Sequence, residues 1–288
     1  FTIILMFCLA FLEYYIFPIS NNQMGIKKNL LDKKINVEGI VLGNSHTFFG
    51  INPDESEFKM INVANLGRKL ETDFYILRNY YKNQQKLKFV IIPISSYTLL
   101  SKELSSNEKR LYYNFFNIEE YSQPLLKNYL LFNEPFKELI DNVIFGNKNL
   151  HNKKITSLGW RSNLGQFIKD PKDNKERVKD LEGHFSINNN EINRNLFFLN
   201  KIIKLSVKND FKVILITPPY HPFYYSLSNK KYYNYLNNLL LDVSSKFENT
   251  VYIEGKSLNM IDNDVFFNLD HLNTNGAKIF TKKIDSIL

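Results

Sequence analysis

The chain has 288 residues, a hydrophobic fraction of 44% and a formal net charge of +8. This is enough for one large domain with insertions or two small ones, with a sizeable core. The lone Cys8 excludes an intrachain disulfide, and five scattered histidines without His-x-x-x-His or Cys-x-x-Cys spacing argue against a metal site, so no metal or cofactor is expected.

The positive charge is spread through Lys- and Asn-rich stretches. It fits a solvated basic surface, or attraction to anionic lipid head groups or acidic glycans. Nucleic acid is not expected as a partner, because no binding motif accompanies the charge.

Phe1 to Leu12 is almost wholly apolar, and Tyr14 to Ile19 continues the run after Glu13. Roughly 20 apolar residues span a bilayer, and a Glu flanked by tyrosines is tolerable near its interface. Residues 1–19 are therefore read as a membrane anchor, with a cleaved signal or a core helix as alternatives. Residues 20–36 are read as a basic, polar linker. The domain from residue 37 onward would then lie outside the cytoplasm of a bacterium, in the periplasm or at the cell surface.

Val37 to Leu42 is a short apolar run that ends in Gly43-Asn44-Ser45-His46. Such a run bounded by turn residues reads as a buried strand. Ser45 is displayed just past its carboxyl end, where open α/β sheets bind ligands. Gly43 permits a tight turn that leaves backbone N–H groups, Ser45's included, facing an oxyanion. The alternative is a turn that uses small polar residues for local hydrogen bonds.

Phe58 to Val63 is a second strand, followed by Ala64-Asn65-Leu66-Gly67-Arg68. Leu70 to Lys86 has helical periodicity, with Phe74, Leu77, Tyr80 and Tyr81 inward. Leu87 to Ile94 is the strongest strand signal and runs into Ser95-Ser96-Tyr97. About residues 99–190 read as a large helical insertion over the active-site end of the sheet. Tyr121 to Phe132 and Pro135 to Phe145 have helical spacing, and Trp160 lies in a loop. Aromatic residues there either stack on sugar rings or form the insertion's own core. Lys169 to Asp180 is a charged, solvated run.

Glu191 to Asn209 is a helix and Phe211 to Thr217 a strand, ending in Pro218-Pro219-Tyr220-His221-Pro222. Tyr220 and His221 are candidate pocket residues at that strand's carboxyl end. Lys230 to Phe247 is a helix, and Val251 to Glu254 a last strand. In the final amphipathic helix Ala277, Phe280, Ile284 and Ile287 recur at helical spacing, with Asn273 or Asn275 as N-cap. His271 falls on the loop just before it. Alternating strands and helices argue for a mainly parallel sheet with helices on both faces.

A serine after the first strand and Asp270-His271-Leu272-Asn273-x-x-Gly276-Ala277 before the last helix resemble the SGNH (GDSL-like) hydrolase superfamily. The resemblance is to its membrane-anchored, envelope-polysaccharide branch and covers residues 37–288, with a poorly matched middle. It implies a three-layer α/β/α, flavodoxin-like fold. It also implies serine-dependent acyl transfer or ester hydrolysis on a cell-envelope polysaccharide, by an O-acetyltransferase or esterase, with a membrane-bound acyl donor as a further partner. Gly67 matches the glycine whose N–H enters the oxyanion hole. The asparagine of the family's Gly-x-Asn block is missing, and Ser95 or Ser96 is the substitute donor.

Serine needs an adjacent base, and His271 would take the Ser45 proton. A third group must hold the imidazole in its productive tautomer. The family's carboxylate position is Asn268 here, so Asp270 is the preferred support, with Asp264 more remote. Asn44, His46 and Asn268 complete the candidate pocket. Ser45 Oγ and His271 are expected roughly 2.6–3.2 Å apart. The departures at Asn268 and Gly-x-Asn favour the alternative function, a catalytically weak domain that binds glycan or assembly partners.

Overall fold

The computed structural model describes residues 22–33, 36–124, 155–162, 176, 178–179, 182 and 190–288. Five strands, β1 (Gly39–Val41), β2 (Met60–Asn62), β3 (Phe89–Pro93), β4 (Lys212–Thr217) and β5 (Thr250–Glu254), form one sheet in the order 2-1-3-4-5. Every pairing is parallel. Ile40 lies opposite Ile61 on one side and Val90 on the other, and Val90 opposite Val213.

Both faces of the sheet are covered, so its strands are continuous apolar runs and not alternating ones. All five residues of β3 are buried. Side-chain alternation divides the core into two layers. Ile40, Val90, Ile92, Val213 and Leu215 pack into one cluster, and Val41, Ile91, Ile214 and Ile216 into the other. The first cluster is roofed by α1 (Asn22–Asp32), α3 (Leu70–Tyr80), α5 (Ser106–Phe116), α6 (Asn190–Lys208) and α8 (Lys230–Lys246). The second is closed by α9 (Thr274–Asp285), through Phe280 and Ile284.

Three short helices sit at the carboxyl ends of strands: α2 (Ser45–Gly50) after β1, α4 (Ser96–Leu100) after β3 and α7 (Pro222–Leu227) after β4. The chain leaves β1 for β2 on one side and returns to β3 on the other. The crevice outside the strand ends at this reversal is where doubly wound sheets bind ligands.

Residues 20–36 are not simply a linker. Asn22–Asp32 is helical, and Met24, Leu30 and Leu31 join the core. Its sequence reads as polar because Lys27 is counted as solvated, yet that side chain is fully buried. The expected anchor, residues 1–19, lies outside the described residues. So do Pro135 to Phe145 and most of Tyr121 to Phe132 and Lys169 to Asp180. No helix among the described residues is long and apolar enough to cross a membrane. The part of the insertion that is described includes α5, capped by Ser105 and Glu108, with Tyr112 and Phe116 packed into the core.

Candidate active site

The corner after β1 is fixed by its own residues. Gly43 has φ +102°, and a Cβ there would lie 2.2 Å from the Pro93 ring. Only glycine fits both the conformation and this close approach to β3. The Gly43 N–H donates to Asp73 Oδ1 on α3 at 3.1 Å. Asn44 caps α2, accepting from the His46 N–H at 3.0 Å, while its amide donates to Thr98 Oγ1 at 3.1 Å. Ser45 therefore begins its helix directly above the sheet edge.

The loop that carries His271 is closed by an antiparallel bridge between Phe266 and Leu272 and by the Phe267 N–H donating to the His271 carbonyl at 2.9 Å. Leu269 is fully buried against Tyr220 and Tyr224. Burying such a side chain is worth roughly 1.5–3 kcal/mol, which pins the loop from above. Below it, Asn273 caps α9 by accepting from the Gly276 N–H at 2.9 Å. The Asn52 N–H donates to Thr281 Oγ1 at 3.0 Å, tying the end of α2 to α9.

These two loops bring Ser45 Oγ and His271 Nε2 to 2.8 Å. Behind the ring, Nδ1 is 3.2 Å from Asn268 Oδ1 and 3.3 Å from Asp270 Oδ1. The sequence favours Asp270 as the nearer support; the two are in fact almost equidistant, with Asn268 slightly closer. Asn268 Oδ1 also accepts from the backbone N–H groups of Asp270 and His271, at 3.2 and 2.8 Å. Its oxygen thus faces the ring as an acceptor. Nδ1 then carries the proton, and Nε2 is left bare to receive the Ser45 hydroxyl proton. Asp264 stays at the exposed rim of the loop, where its carbonyl accepts from Asn273.

His46, read from sequence only as a pocket residue, is part of this constellation. Its ring stacks on that of His271, with centroids 4.9 Å apart and planes at 16°. Nδ1 meets Asn44 Oδ1 at 3.0 Å, and Nε2 lies 3.6 Å from Asp270 Oδ2. Asp270, only 2% exposed, offers one oxygen to each imidazole. Ligand atoms of His46, Asp270 and His271 all fall within 4.8 Å of one another.

Gly67 has φ +66°. Its carbonyl accepts from Tyr97 OH at 3.2 Å, and Tyr97 in turn accepts from Lys69 Nζ at 2.6 Å. Among the described residues neither the Gly67 nor the Ser45 N–H has a hydrogen-bond partner. Ser95, the substitute oxyanion donor, is engaged otherwise. It is 1% exposed and caps α4, with Oγ accepting from the Thr98 N–H at 3.2 Å and pairing with Thr98 Oγ1 at 3.1 Å.

Tyr220 is buried, stacked on Tyr224 at 4.1 Å and edge-on to His46 at 5.8 Å. Burial pushes its phenol pKa well up, so it remains a neutral wall beside the imidazole. His221 caps α7: its Nδ1 accepts from the Phe223 N–H at 3.1 Å, and Nε2 donates to Asn263 Oδ1. Both ring nitrogens are thus engaged away from Ser45. Asp73, Thr98, Lys69 and Tyr97 also shape the site, and no spacing rule in the sequence marks them.

No protein-family model and no curated protein matches the sequence. Among solved structures the chain is similar to one described as "a putative platelet activating factor from Streptococcus pneumonia", at 10% identity and TM-score 0.50, covering 98% of both chains. A second, described as "a putative acylhydrolase" from Bacteroides fragilis NCTC 9343, aligns at 13% identity and TM-score 0.45 over 93% of this chain and 94% of its own. The chain shares an α/β fold with the first of these. That likeness, together with the all-parallel 2-1-3-4-5 sheet, is one of architecture.

Proposed function

We propose that this chain is a serine-dependent acyl-transfer enzyme acting on an ester of a bacterial cell-envelope polysaccharide, as an O-acetyltransferase or an esterase. The observation that carries the reading is the 2.8 Å approach of Ser45 Oγ to the bare Nε2 of His271. His271 takes the Ser45 proton as Oγ attacks the ester carbonyl carbon. The oxyanion that forms is met by the N–H groups of Ser45 and Gly67. The imidazolium is supported at Nδ1 by Asn268 and the Asp270 carboxylate, and returns its proton to the departing alcohol. Water or a sugar hydroxyl, deprotonated by His271, then takes the acyl group from Ser45.

The polysaccharide substrate is supported by the Asp270-His271-Leu272-Asn273-x-x-Gly276-Ala277 resemblance. The apolar run over residues 1–19 supports membrane anchoring and an extracytoplasmic site, with a membrane-bound partner as acyl donor. One observation favours a second reading, a catalytically weak glycan-binding or assembly domain: the Ser95 hydroxyl is spent on a helix cap, which leaves two backbone donors for the oxyanion. A fluorophosphonate probe separates the two. Labelling of the wild type and not of Ser45→Ala is the expected result. A wild type that stays unlabelled, while still binding polysaccharide, would favour the second reading.

A further inference from the structure

Behind the Ser45 helix three cationic side chains are buried together with one carboxylate. Lys27 is 0% exposed, Arg68 1% and Arg161 8%. The Lys27 ammonium sits 3.7 Å from the centroid of the Phe48 ring, and the Arg161 guanidinium 6.0 Å from the same ring. Arg68 lies over Tyr112 and Phe116, with Nη1 3.7 Å from Asp73 Oδ1, outside hydrogen-bond range. Among the described residues, Lys27 Nζ, Arg161 Nε and the guanidinium nitrogens of Arg68 have no partner within 3.5 Å, although Arg68 stays within longer polar reach of Asp73 and the Tyr112 hydroxyl. The charges of Arg68 and Arg161 reach Lys27 and, after burial itself, press its pKa down.

Aromatic rings compensate a cation only in part, and desolvated N–H groups left unmade are costly. A buried charge without a partner is among the most expensive features a fold can hold. One carboxylate cannot serve three cations that present their donors from three different segments, α1, the loop after β2 and the loop around Trp160. An oxyanion would satisfy them, since guanidinium forks and an ammonium together match its several acceptor atoms.

We propose that Lys27, Arg68 and Arg161 form a receptor for one small oxyanion, a phosphate, sulfate or carboxylate group, next to the Ser45 loop. Arg68 directly follows Gly67, and Phe48 and Phe49 belong to the Ser45 helix, with Phe49 edge-on to His271 at 5.8 Å. The receptor is thus built on the same segments as the candidate nucleophile. Its existence does not depend on the chemistry proposed for Ser45, because binding alone reveals it.

The test is thermal unfolding of the full chain in sodium phosphate, sodium sulfate or sodium acetate against sodium chloride at equal ionic strength. The wild type should show a saturable rise in Tm with an oxyanion and none with chloride. A response to phosphate and sulfate alone indicates a tetrahedral ligand, and one to acetate alone a carboxylate. Lys27→Met and Arg68→Met should abolish the rise. In chloride, Lys27→Met should unfold at or above the wild-type temperature, because a buried ammonium without a partner has been removed. The absence of any oxyanion-specific rise would overturn the proposal. So would an equal rise in both variants, or a Lys27→Met protein in chloride far less stable than wild type.

Discussion

His46 and His271 stack face to face, centroids 4.9 Å apart, and share Asp270, whose two carboxylate oxygens each serve one ring. The Asn44 amide fixes the proton pattern on His46. Its nitrogen donates to Thr98 Oγ1, which donates onward to the Pro93 carbonyl, so the amide oxygen must face His46 Nδ1 and accept from it. A neutral His46 would then turn a bare Nε2 toward the carboxylate. The contact is favourable only with a proton on Nε2 or on Asp270. In the proposed mechanism His46 is a positioning residue: it holds Asp270 and flanks the His271 ring. His46→Phe keeps a stacked ring and loses the Asp270 contact. It should lower kcat roughly tenfold with little change in KM, the size of a modest loss in general-base support. His46→Ala, which loses both, should be worse. Equal kcat values for wild type and both variants would remove His46 from the mechanism.

In the proposed mechanism Ser45 and His271 act on one proton, so their effects should not add. Ser45→Ala, His271→Ala and the double variant are each expected to lose nearly all ester hydrolysis or acyl transfer, to about the same residual level. The readout is the rate on an acetylated polysaccharide or an acetyl ester. A double variant much slower than either single one would mean that the two residues work separately.

Asn268 and Asp270 divide the support of Nδ1 between an amide and a carboxylate. Asp270→Asn removes the charge behind the imidazolium but leaves Asn268 Oδ1 at 3.2 Å to hold the tautomer. The expected loss is roughly 10- to 100-fold in kcat, well short of the ~10⁴ seen where the tautomer itself is wrong. Asn268→Ala removes an acceptor of two backbone N–H groups and should also destabilise the loop, by about 1–2 kcal/mol. Denaturant titration beside kinetics distinguishes them: Asp270→Asn acts mainly on rate, Asn268→Ala on both.

The sheet and the Ser45–His271 pairing are legible in the sequence because they rest on local signals. Central parallel strands are continuous apolar runs, so Leu87 to Ile94 announces β3, though ladder pairing covers only Phe89–Pro93. Ser45 and His271 each stand at the boundary of a recognisable element. Sequence alone discounts His46, because adjacent side chains diverge on extended chain. The chain is already helical at Ser45, where neighbours differ by only about 100° around the axis, so both can serve one site. Asp270 reaches the His271 ring because a tight turn replaces the extended loop. Lys27, Arg68 and Asp73 are silent in the sequence, since a buried charge reads as a solvated one until partners from distant segments are known. Thr98 meets Asn44 across 54 residues, a contact no local pattern encodes.

Asp73 makes the stability of the Ser45 corner depend on pH. Its carboxyl is fully enclosed, and burial raises its pKa from 3.8 to about 6, although the Arg68 charge, the Gly43 N–H and Lys27 all pull it down. Between those two values the folded chain holds a proton that the unfolded chain has released. Stability from this group is therefore greatest below about pH 4, falls as pH rises through the window, and is level above about pH 6. The size is on the order of a few kcal/mol at most. Asp73→Asn keeps an oxygen to accept from Gly43 but cannot titrate. Denaturant unfolding of both proteins at intervals from pH 4 to 7 should show the wild type losing stability relative to Asp73→Asn up to about pH 6, with no further divergence beyond. Parallel curves across the whole range would show that the carboxylate is ionised throughout, fully neutralised by Arg68 and Lys27. The cation cluster would then carry less uncompensated charge than its geometry indicates.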